Sequence, residues 1–170
     1  YDKRGVGNSI GNIKSGNDIK FSDYINDVVS IINHFKDTKE YKQIVVIGHS
    51  EGALIGMIAS RLIADSFISI AGAGEDYLTL IQRQLSIQPP YVKSMSDPVI
   101  EKLKNKELVD SVPPLLNSLF NNTVQKYLID ASSYDPKQEI SKLDIPVLIV
   151  QGSNDIQIEV TDAQLLHNAA

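Results

Sequence analysis

Residues 48–52, which read Gly-His-Ser-Glu-Gly, constrain this chain more than any other part of its sequence. They follow a β-branched run at 43–47, which predicts a strand buried on both faces. They precede residues 53–64, whose Ala, Leu, Ile and Met content predicts a buried helix. A strand that passes into a helix through Gly-x-Ser-x-Gly must turn so sharply that the serine adopts a strained backbone conformation. The sequence therefore predicts that the Ser50 hydroxyl projects into solvent from the tip of this turn.

The residues beside Ser50 have predicted tasks of their own. Glycines at 48 and 52 are expected to keep side chains from colliding with the neighbouring strand and helix. The first turn of the helix presents backbone N–H groups and the positive end of the helix dipole, so the N–H of Glu51 is placed to donate to a developing oxyanion. The alternative is a chance Gly-x-Ser-x-Gly in a loop, which the flanking strand and helix disfavour.

Apolar periodicity in the rest of the chain predicts an α/β fold. Residues 66–70 and 146–150 predict two further strands, and a strand-helix-strand unit of this kind is almost always parallel. The carboxyl ends of the strands, with their loops, then lie on one edge of the sheet. The segment 2–16, rich in Gly, Asn, Ser and Lys, predicts a surface loop. An amphipathic helix is expected over 22–35, from apolar residues at three- and four-residue steps: Phe21, Ile25, Val28, Val29, Ile32 and Phe35.

Residues 75–136 change in character to long helical stretches interrupted by two Pro-Pro pairs. We predict that this insertion is a helical lid over the site that contains Ser50; the alternative is an ordinary pair of crossover helices. The predicted domains are a core of 1–74 and 137–170, and an insertion of 75–136. Several apolar residues of the insertion could line an acyl pocket, although such residues more often form core: Leu78, Ile81, Leu85, Leu115, Leu116, Leu119 and Tyr127.

Three segments of the chain resemble the α/β-hydrolase family. Residues 2–9 (Asp-Lys-Arg-Gly-Val-Gly-Asn-Ser) resemble its Asp-x-Arg-Gly-x-Gly-x-Ser loop, and residues 46–53 resemble its nucleophile elbow in a Gly-His-Ser-Glu-Gly form. Residues 145–155 resemble the strand and turn that present the acid of its catalytic triad. The resemblance extends over nearly the whole chain. It implies a partial α/β-hydrolase fold, with a mostly parallel sheet, flanking helices and a helical lid insertion.

The same resemblance implies a catalytic triad in the chain order Ser, acid, His. Ser50 is then the nucleophile and Asp155 the acid. From the residues alone, a turn aspartate that caps the following segment explains Asp155 equally well. Glu75 or Asp76 is an alternative acid, because some members of the family take the acid from the end of the preceding strand.

The three histidines of the chain do not match the base of such a triad. His167 is expected on the surface or flank of the helix after the acid turn, His49 is expected to point into the interior, and His34 ends an amphipathic helix. We therefore expect the triad histidine after Ala170 and the second oxyanion donor before Tyr1. These 170 residues alone should then have negligible triad chemistry.

Composition limits the other functions open to the chain. A net charge of -5 without a basic block disfavours nucleic acid as a partner, and no apolar run reaches the ~20 residues needed to cross a bilayer. The absence of cysteine excludes disulfides and thiolate chemistry, and it fits either redox compartment. We expect a serine hydrolase that cleaves small-molecule carboxylic esters through an acyl-enzyme on Ser50, without cofactor or metal. The alternatives are a peptidase or acyltransferase of the same fold, and a non-catalytic binding module.

Overall fold

The computed structural model describes residues 1–10, 19–61 and 63–170, and three β-strands and eight α-helices lie in these ranges. Of the helices in the described ranges, none combines the length and apolar character needed to span a membrane. A short 3₁₀ turn also lies at Pro114–Leu116. The elements in chain order are α1 (Phe21–Thr38), β1 (Val45–His49), α2 (Glu51–Ser60), β2 (Ser66–Ile70), α3 (Tyr77–Ser86), α4 (Pro90–Lys104), α5 (Asn117–Phe120), α6 (Gln125–Ala131), α7 (Pro136–Ile140), β3 (Val147–Val150) and α8 (Val160–Ala169).

The chain divides into two compact units. The sheet unit consists of Ile25–Asp76 and Tyr134–Ala170, and the helical unit consists of Tyr1–Tyr24 and Tyr77–Ser133. The predicted insertion, 75–136, therefore falls mainly in the helical unit, and the start of the chain groups with it rather than with the sheet. Its role as a lid stays a prediction.

The sheet unit contains a parallel sheet, as the sequence predicts, and its strand order is β1-β2-β3. β2 covers the predicted residues 66–70. The register places His49 beside Ile70 and Ile70 beside Val150, so the last residues of the three strands form one row. Because the strands are parallel, the loops that follow them leave the sheet at the same edge.

Strand β1 differs from its prediction in its start and in its burial. It starts at Val45 rather than at residue 43, and the preceding Ile44 N–H donates to the Asp65 side chain (2.7 Å). The prediction of burial on both faces is wrong, since Val45 is 48% exposed and Ile47 is 62% exposed. Val45 and Ile47 lie on one face of β1, and α2 packs against the other face.

Helix α2 covers the opposite face of β1 and β2. A Cβ atom at Gly56 would lie 3.1 Å from both Val46 Cγ1 and Phe67 Cε2, so the helix lies close against the sheet. Phe67 is fully buried beneath it. Helix α7 contacts α2, and α8 contacts β3 and α7. The helix predicted over 53–64 ends at Ser60, and residue 62 of that prediction lies outside the described residues.

Helix α1 extends three residues beyond its predicted end at 35. Four members of the predicted stripe are buried, whereas Phe35 is exposed and packs edge-on against Tyr41 with ring centroids 5.6 Å apart. The predicted loop before α1 has no helix or strand over residues 2–10, where the Asn8 N–H donates to the Asp2 carboxylate (3.0 Å). Residues 11–16 of that prediction lie outside the described residues.

The helical unit has a hydrophobic core of its own. Gln125 is buried at its edge, where Nε2 donates to the carbonyls of Val109 and Phe120 (2.8 Å each) and Oε1 accepts from the Val109 N–H (2.7 Å). Of the proposed pocket residues, Leu78 and Leu116 are core, and Ile81, Leu85 and Tyr127 pack against it, whereas Leu115 and Leu119 are exposed. The core residues are Leu78, Val99, Ile100, Leu103, Val109, Leu116, Phe120 and Leu128.

Candidate active site

Ser50 lies between β1 and α2 with a strained backbone. Its φ is 55° and its ψ is -121°, a combination that costs about 1–3 kcal/mol for a residue with a Cβ atom. Two hydrogen bonds hold the turn: the Ser50 N–H donates to the Ile70 carbonyl, and the Ala53 N–H donates to the Ser50 carbonyl (2.9 Å each). Ser50 is exposed and makes no side-chain capping bond to α2. The residue is therefore presented to solvent at the tip of a strained turn, as predicted.

One of the two glycines at this turn is sterically crowded and the other is not. A Cβ atom at Gly48 would lie 2.2 Å from the Gly52 carbonyl oxygen and 2.6 Å from Ala53 Cα. A Cβ atom at Gly52 would meet no described atom within 4 Å. The prediction that both glycines prevent collisions is thus correct for Gly48 and wrong for Gly52, because position 48 faces the helix while position 52 faces open space.

Glu51 is the first residue of α2 and is half-buried. Its N–H belongs to the first turn of the helix, where backbone donors point away from the helix body towards its N-terminus. An oxygen that becomes negative beside Ser50 would lie at the positive end of the α2 dipole. Donation from the Glu51 N–H to such an oxygen stays a prediction.

Asp155 lies at the same edge of the sheet as Ser50. It follows β3 in a turn in which the Asp155 N–H donates to the Gly152 carbonyl (3.3 Å). The row His49, Ile70 and Val150 separates the ends of β1 and β3 by two strand spacings, about 10 Å at the usual distance between strands. The structure therefore brings both predicted residues to one edge, although they are far apart in sequence.

The two carboxylate oxygens of Asp155 have different surroundings. Oδ1 accepts from the backbone N–H groups of Gln157 (2.9 Å) and Ile158 (3.1 Å). Oδ2 receives a long contact from Gln151 Nε2 (3.5 Å), which also donates to the Ile158 carbonyl (2.7 Å). Asp155 thus caps its own turn with one oxygen, while the other keeps capacity to accept a further bond. The two interpretations of Asp155 from sequence are compatible.

These contacts favour the ionised form of Asp155. The backbone N–H groups of Ile158 and Gln157 hold the pKa of its carboxyl below the ordinary value, and partial desolvation opposes them. The Gln151 amide and the positive charge of His49 lower this pKa further. At neutral pH Asp155 is therefore an anion, the form that can orient an imidazole and stabilise its cation.

The histidines occupy surface positions. The prediction that His49 points into the interior is wrong: it is exposed, on the same face of β1 as Val45 and Ile47. His34 is exposed near the end of α1, and His167 is exposed on α8, as expected. His167 also lines a groove of about 490 Å³ between β3 and α8, and neither Ser50 nor Asp155 lines this groove.

Glu75 and Asp76, the alternative triad acids, follow β2 in the chain and are half-buried. Across the described ranges, no group of three or more His, Asp and Glu side chains is arranged to hold a metal ion. The assignment of the triad acid to Asp155 stays a prediction.

Asp162 is a buried carboxylate that the sequence prediction missed. Its Oδ1 accepts from the Gly74 N–H and its Oδ2 from the Glu159 N–H (2.9 Å each). The bond to Glu159 is half of a capping box at the start of α8. The spacing of two acidic residues three apart before an apolar run could have signalled this box. The bond to Gly74 has no such signal, because 88 residues separate the two.

Comparisons with known proteins identify the family of this chain. A family model described as serine aminopeptidase, S33, matches residues 1–170. Esterase EstD from Thermotoga maritima is 29% identical over 149 residues, which cover 83% of this chain and 34% of that esterase. The chain thus spans about a third of the length of this curated relative.

Solved structures with a similar fold include two bacterial hydrolases. A lipase-esterase related protein from Clostridium acetobutylicum has a TM-score of 0.57 at 18% identity, over 98% of this chain and 68% of that one. An alpha/beta fold family hydrolase from Bacillus anthracis has a TM-score of 0.58 at 16% identity, over 99% of this chain and 69% of that one. At these identities the similarity establishes the fold.

Proposed function

Because the chain belongs to the serine aminopeptidase S33 family of α/β hydrolases, we propose that Ser50 is the nucleophile of an enzyme that cleaves small carboxylic esters. The observation that carries the proposal is the exposed Ser50 at φ 55°, on the sheet edge that also carries an ionised Asp155. A strained serine turn costs stability, and such strain clusters at active sites, where it is part of the mechanism. The esterase from Thermotoga maritima, 29% identical, supports ester cleavage.

The proposed reaction has two steps. Ser50 Oγ attacks the ester carbonyl carbon while a histidine accepts its proton, and the tetrahedral oxyanion accepts a hydrogen bond from the Glu51 N–H. The C–O bond to the alcohol then breaks, and the alcohol leaves with that proton. Water, deprotonated by the same histidine, attacks the acyl-enzyme and releases the acid and free Ser50. We propose that this histidine follows Ala170 in the sequence and that its ring bridges Ser50 and Asp155.

Covalent labelling tests the nucleophile directly. The full-length protein is treated with a fluorophosphonate probe, and the modified residue is identified by peptide mass spectrometry. We expect the label on Ser50 and none on Ser50→Ala, with kcat for p-nitrophenyl acetate reduced by roughly 10⁴-fold or more in that variant. Folded protein that takes no label would contradict the proposal and would favour a non-catalytic binding module.

Three acid variants test the assignment of Asp155. Asp155→Asn should reduce kcat by roughly 10⁴-fold, because an amide cannot hold the histidine in its productive tautomer. Glu75→Gln and Asp76→Asn are matched controls from the loop after β2 and should change kcat by less than about tenfold. The reverse pattern would move the acid to that loop.

A peptidase is the second candidate, favoured by the description of the matching family as a serine aminopeptidase. The same nucleophile can cleave an amide, so the choice depends on the groups that bind the substrate. Values of kcat/KM for p-nitrophenyl esters and for aminoacyl p-nitroanilides separate the two candidates. We expect the esters to be preferred by more than the difference in their intrinsic reactivity. A preference for the anilides would favour the peptidase.

A further inference from the structure

A fully buried carboxylate joins α8 to the loop that follows β2. Asp162 accepts the Gly74 N–H on Oδ1 and the Glu159 N–H on Oδ2, and its own N–H donates to the Glu159 carbonyl (3.0 Å). Burial of a carboxylate is costly unless its oxygens are bonded. Here each oxygen is held by a backbone donor, and the two donors belong to segments that are distant in sequence.

One of these segments is the turn that carries Asp155. Glu159 is the N-cap of α8 and directly follows Ile158, whose N–H donates to Asp155 Oδ1 (3.1 Å). The bond from Glu159 to Asp162 therefore fixes the end of this turn to the first turn of α8. Movement of α8 would carry the turn, and the carboxylate of Asp155, with it.

The other segment continues from β2, whose last residue accepts a hydrogen bond from Ser50. The Ile70 carbonyl accepts the Ser50 N–H, and the next residue, Ala71, has a positive φ of 49° and donates to the Val150 carbonyl (2.9 Å). This loop then reaches Gly74, where a Cβ atom would lie 2.8 Å from the Asp162 carbonyl oxygen. The loop after β2 therefore lies against both the Ser50 turn and α8, with no room for a side chain at Gly74.

Lys137 holds the same loop from α7. Its Nζ donates to the Gly74 carbonyl (3.3 Å) and pairs with Asp135 (3.2 Å), and it is 40% exposed. Both backbone groups of Gly74 are thus bonded, the N–H to Asp162 and the carbonyl to Lys137. These two hydrogen bonds fix the position of the loop after β2.

From these contacts we propose that Asp162 is a positioning residue, which sets the distance between Asp155 and Ser50 by joining α8 to the loop after β2. This inference rests on the proposed function of Ser50 and Asp155. Asp162 does not touch the reacting atoms and acts through Asp155. A displacement of about 1 Å in a catalytic arrangement can reduce turnover by roughly 10²-fold.

A double-mutant cycle on kcat tests this role. In Asp162→Asn the amide presents a donor to one of the two backbone N–H groups, so kcat of the full-length protein should fall by roughly 10- to 100-fold with KM changed by less than about threefold. In the Asp155→Asn background the same substitution should reduce kcat by less than about threefold, because the carboxylate through which Asp162 acts is no longer present. Gln164→Ala, an exposed position on α8, is the matched control and should have no effect in either background.

Each outcome of the cycle has a defined meaning. If Asp162→Asn lowers kcat by an equal factor in both backgrounds, or does not lower it at all in the parent, the positioning role is overturned. Ser50 labelling of the parent protein would still uphold the proposed function. A parent protein that takes no label at Ser50 refutes both. If Asp162→Asn does not fold, Lys137→Met loosens the same loop from the surface. It should lower kcat by about threefold or more only where Asp155 is present, and equal factors would again overturn the proposal.

Discussion

The two glycines beside Ser50 should respond in opposite ways to the same substitution. In Gly48→Ala the new Cβ atom, whose position is fixed by the backbone, would lie 2.2 Å from the backbone carbonyl oxygen of Gly52. No side-chain rotation can relieve the overlap, so the first turn of α2 must move by about 1 Å against β1. In Gly52→Ala the new atom meets no described atom within 4 Å, so it adds no clash.

These contacts set the magnitude of the two effects. Forced overpacking costs about 1–3 kcal/mol, and we expect the upper end for Gly48→Ala because the backbone itself must shift. Gly52→Ala replaces a helical glycine and should stabilise the protein by up to about 1 kcal/mol. The two variants should therefore differ by roughly 3 kcal/mol, which at a urea m-value of about 2 kcal/mol/M separates their midpoints by about 1.5 M.

Urea unfolding followed by far-UV circular dichroism measures this difference. Gly152→Ala is a suitable control, since a Cβ atom there also meets nothing described within 4 Å. If Gly48→Ala and Gly52→Ala lower the midpoint equally, position 52 is crowded as well and the predicted difference between the two glycines is wrong. An unchanged midpoint for Gly48→Ala would mean that the turn between β1 and α2 has another geometry.

Three further predictions follow from single side chains. Ser50→Gly should be more stable than Ser50→Ala by about 1 kcal/mol in urea, because glycine accepts φ 55° without strain; equal stability would argue against the strain. The lowered pKa of Asp155 adds stability that is present above its unfolded pKa near 3.8 and lost as pH falls through the lower folded value. Stability measured against pH should therefore fall more steeply in the parent than in Asp155→Asn below about pH 4, and parallel curves would contradict the shift. Gln125→Leu should lower the unfolding free energy by about 2–4 kcal/mol, because the N–H and carbonyl of Val109 lose their hydrogen-bond partner. The exposed Gln88→Leu should lower it by less than about 0.5 kcal/mol, and similar losses in the two variants would contradict the buried network.

Local sequence patterns predicted the parts of the fold that depend on local chemistry. The apolar run at 66–70 coincides with β2, and the strand-Gly-x-Ser-x-Gly-helix order predicted the strained, exposed Ser50. The parallel sheet followed from the handedness of strand-helix-strand units, and it placed Asp155 at the edge that carries Ser50. The first two inferences use residues within one element or one turn, and the third uses the order of elements along the chain.

Long-range packing accounts for the features that were missed. A β-branched run predicts a buried strand, but the exposure of Ile47 depends on what packs against its face of β1, which no local pattern records. The same face carries the exposed His49, which was expected in the interior. The bond between Gly74 and Asp162 joins residues 88 positions apart, so neither residue alone signals it.

The hydrogen bond between Lys137 and Gly74 also has a consequence for how such a chain can evolve. The helical segment leaves the sheet unit after Asp76 and re-enters it at Tyr134, and these two residues lie beside the bonded pair. The two ends of the helical segment are thus held close together by this hydrogen bond. The entropic cost of closing a loop rises by only about 0.6 kcal/mol for each doubling of its length. The helical segment can therefore be replaced by segments of other lengths and compositions, while the row of strand ends beneath Ser50 stays fixed.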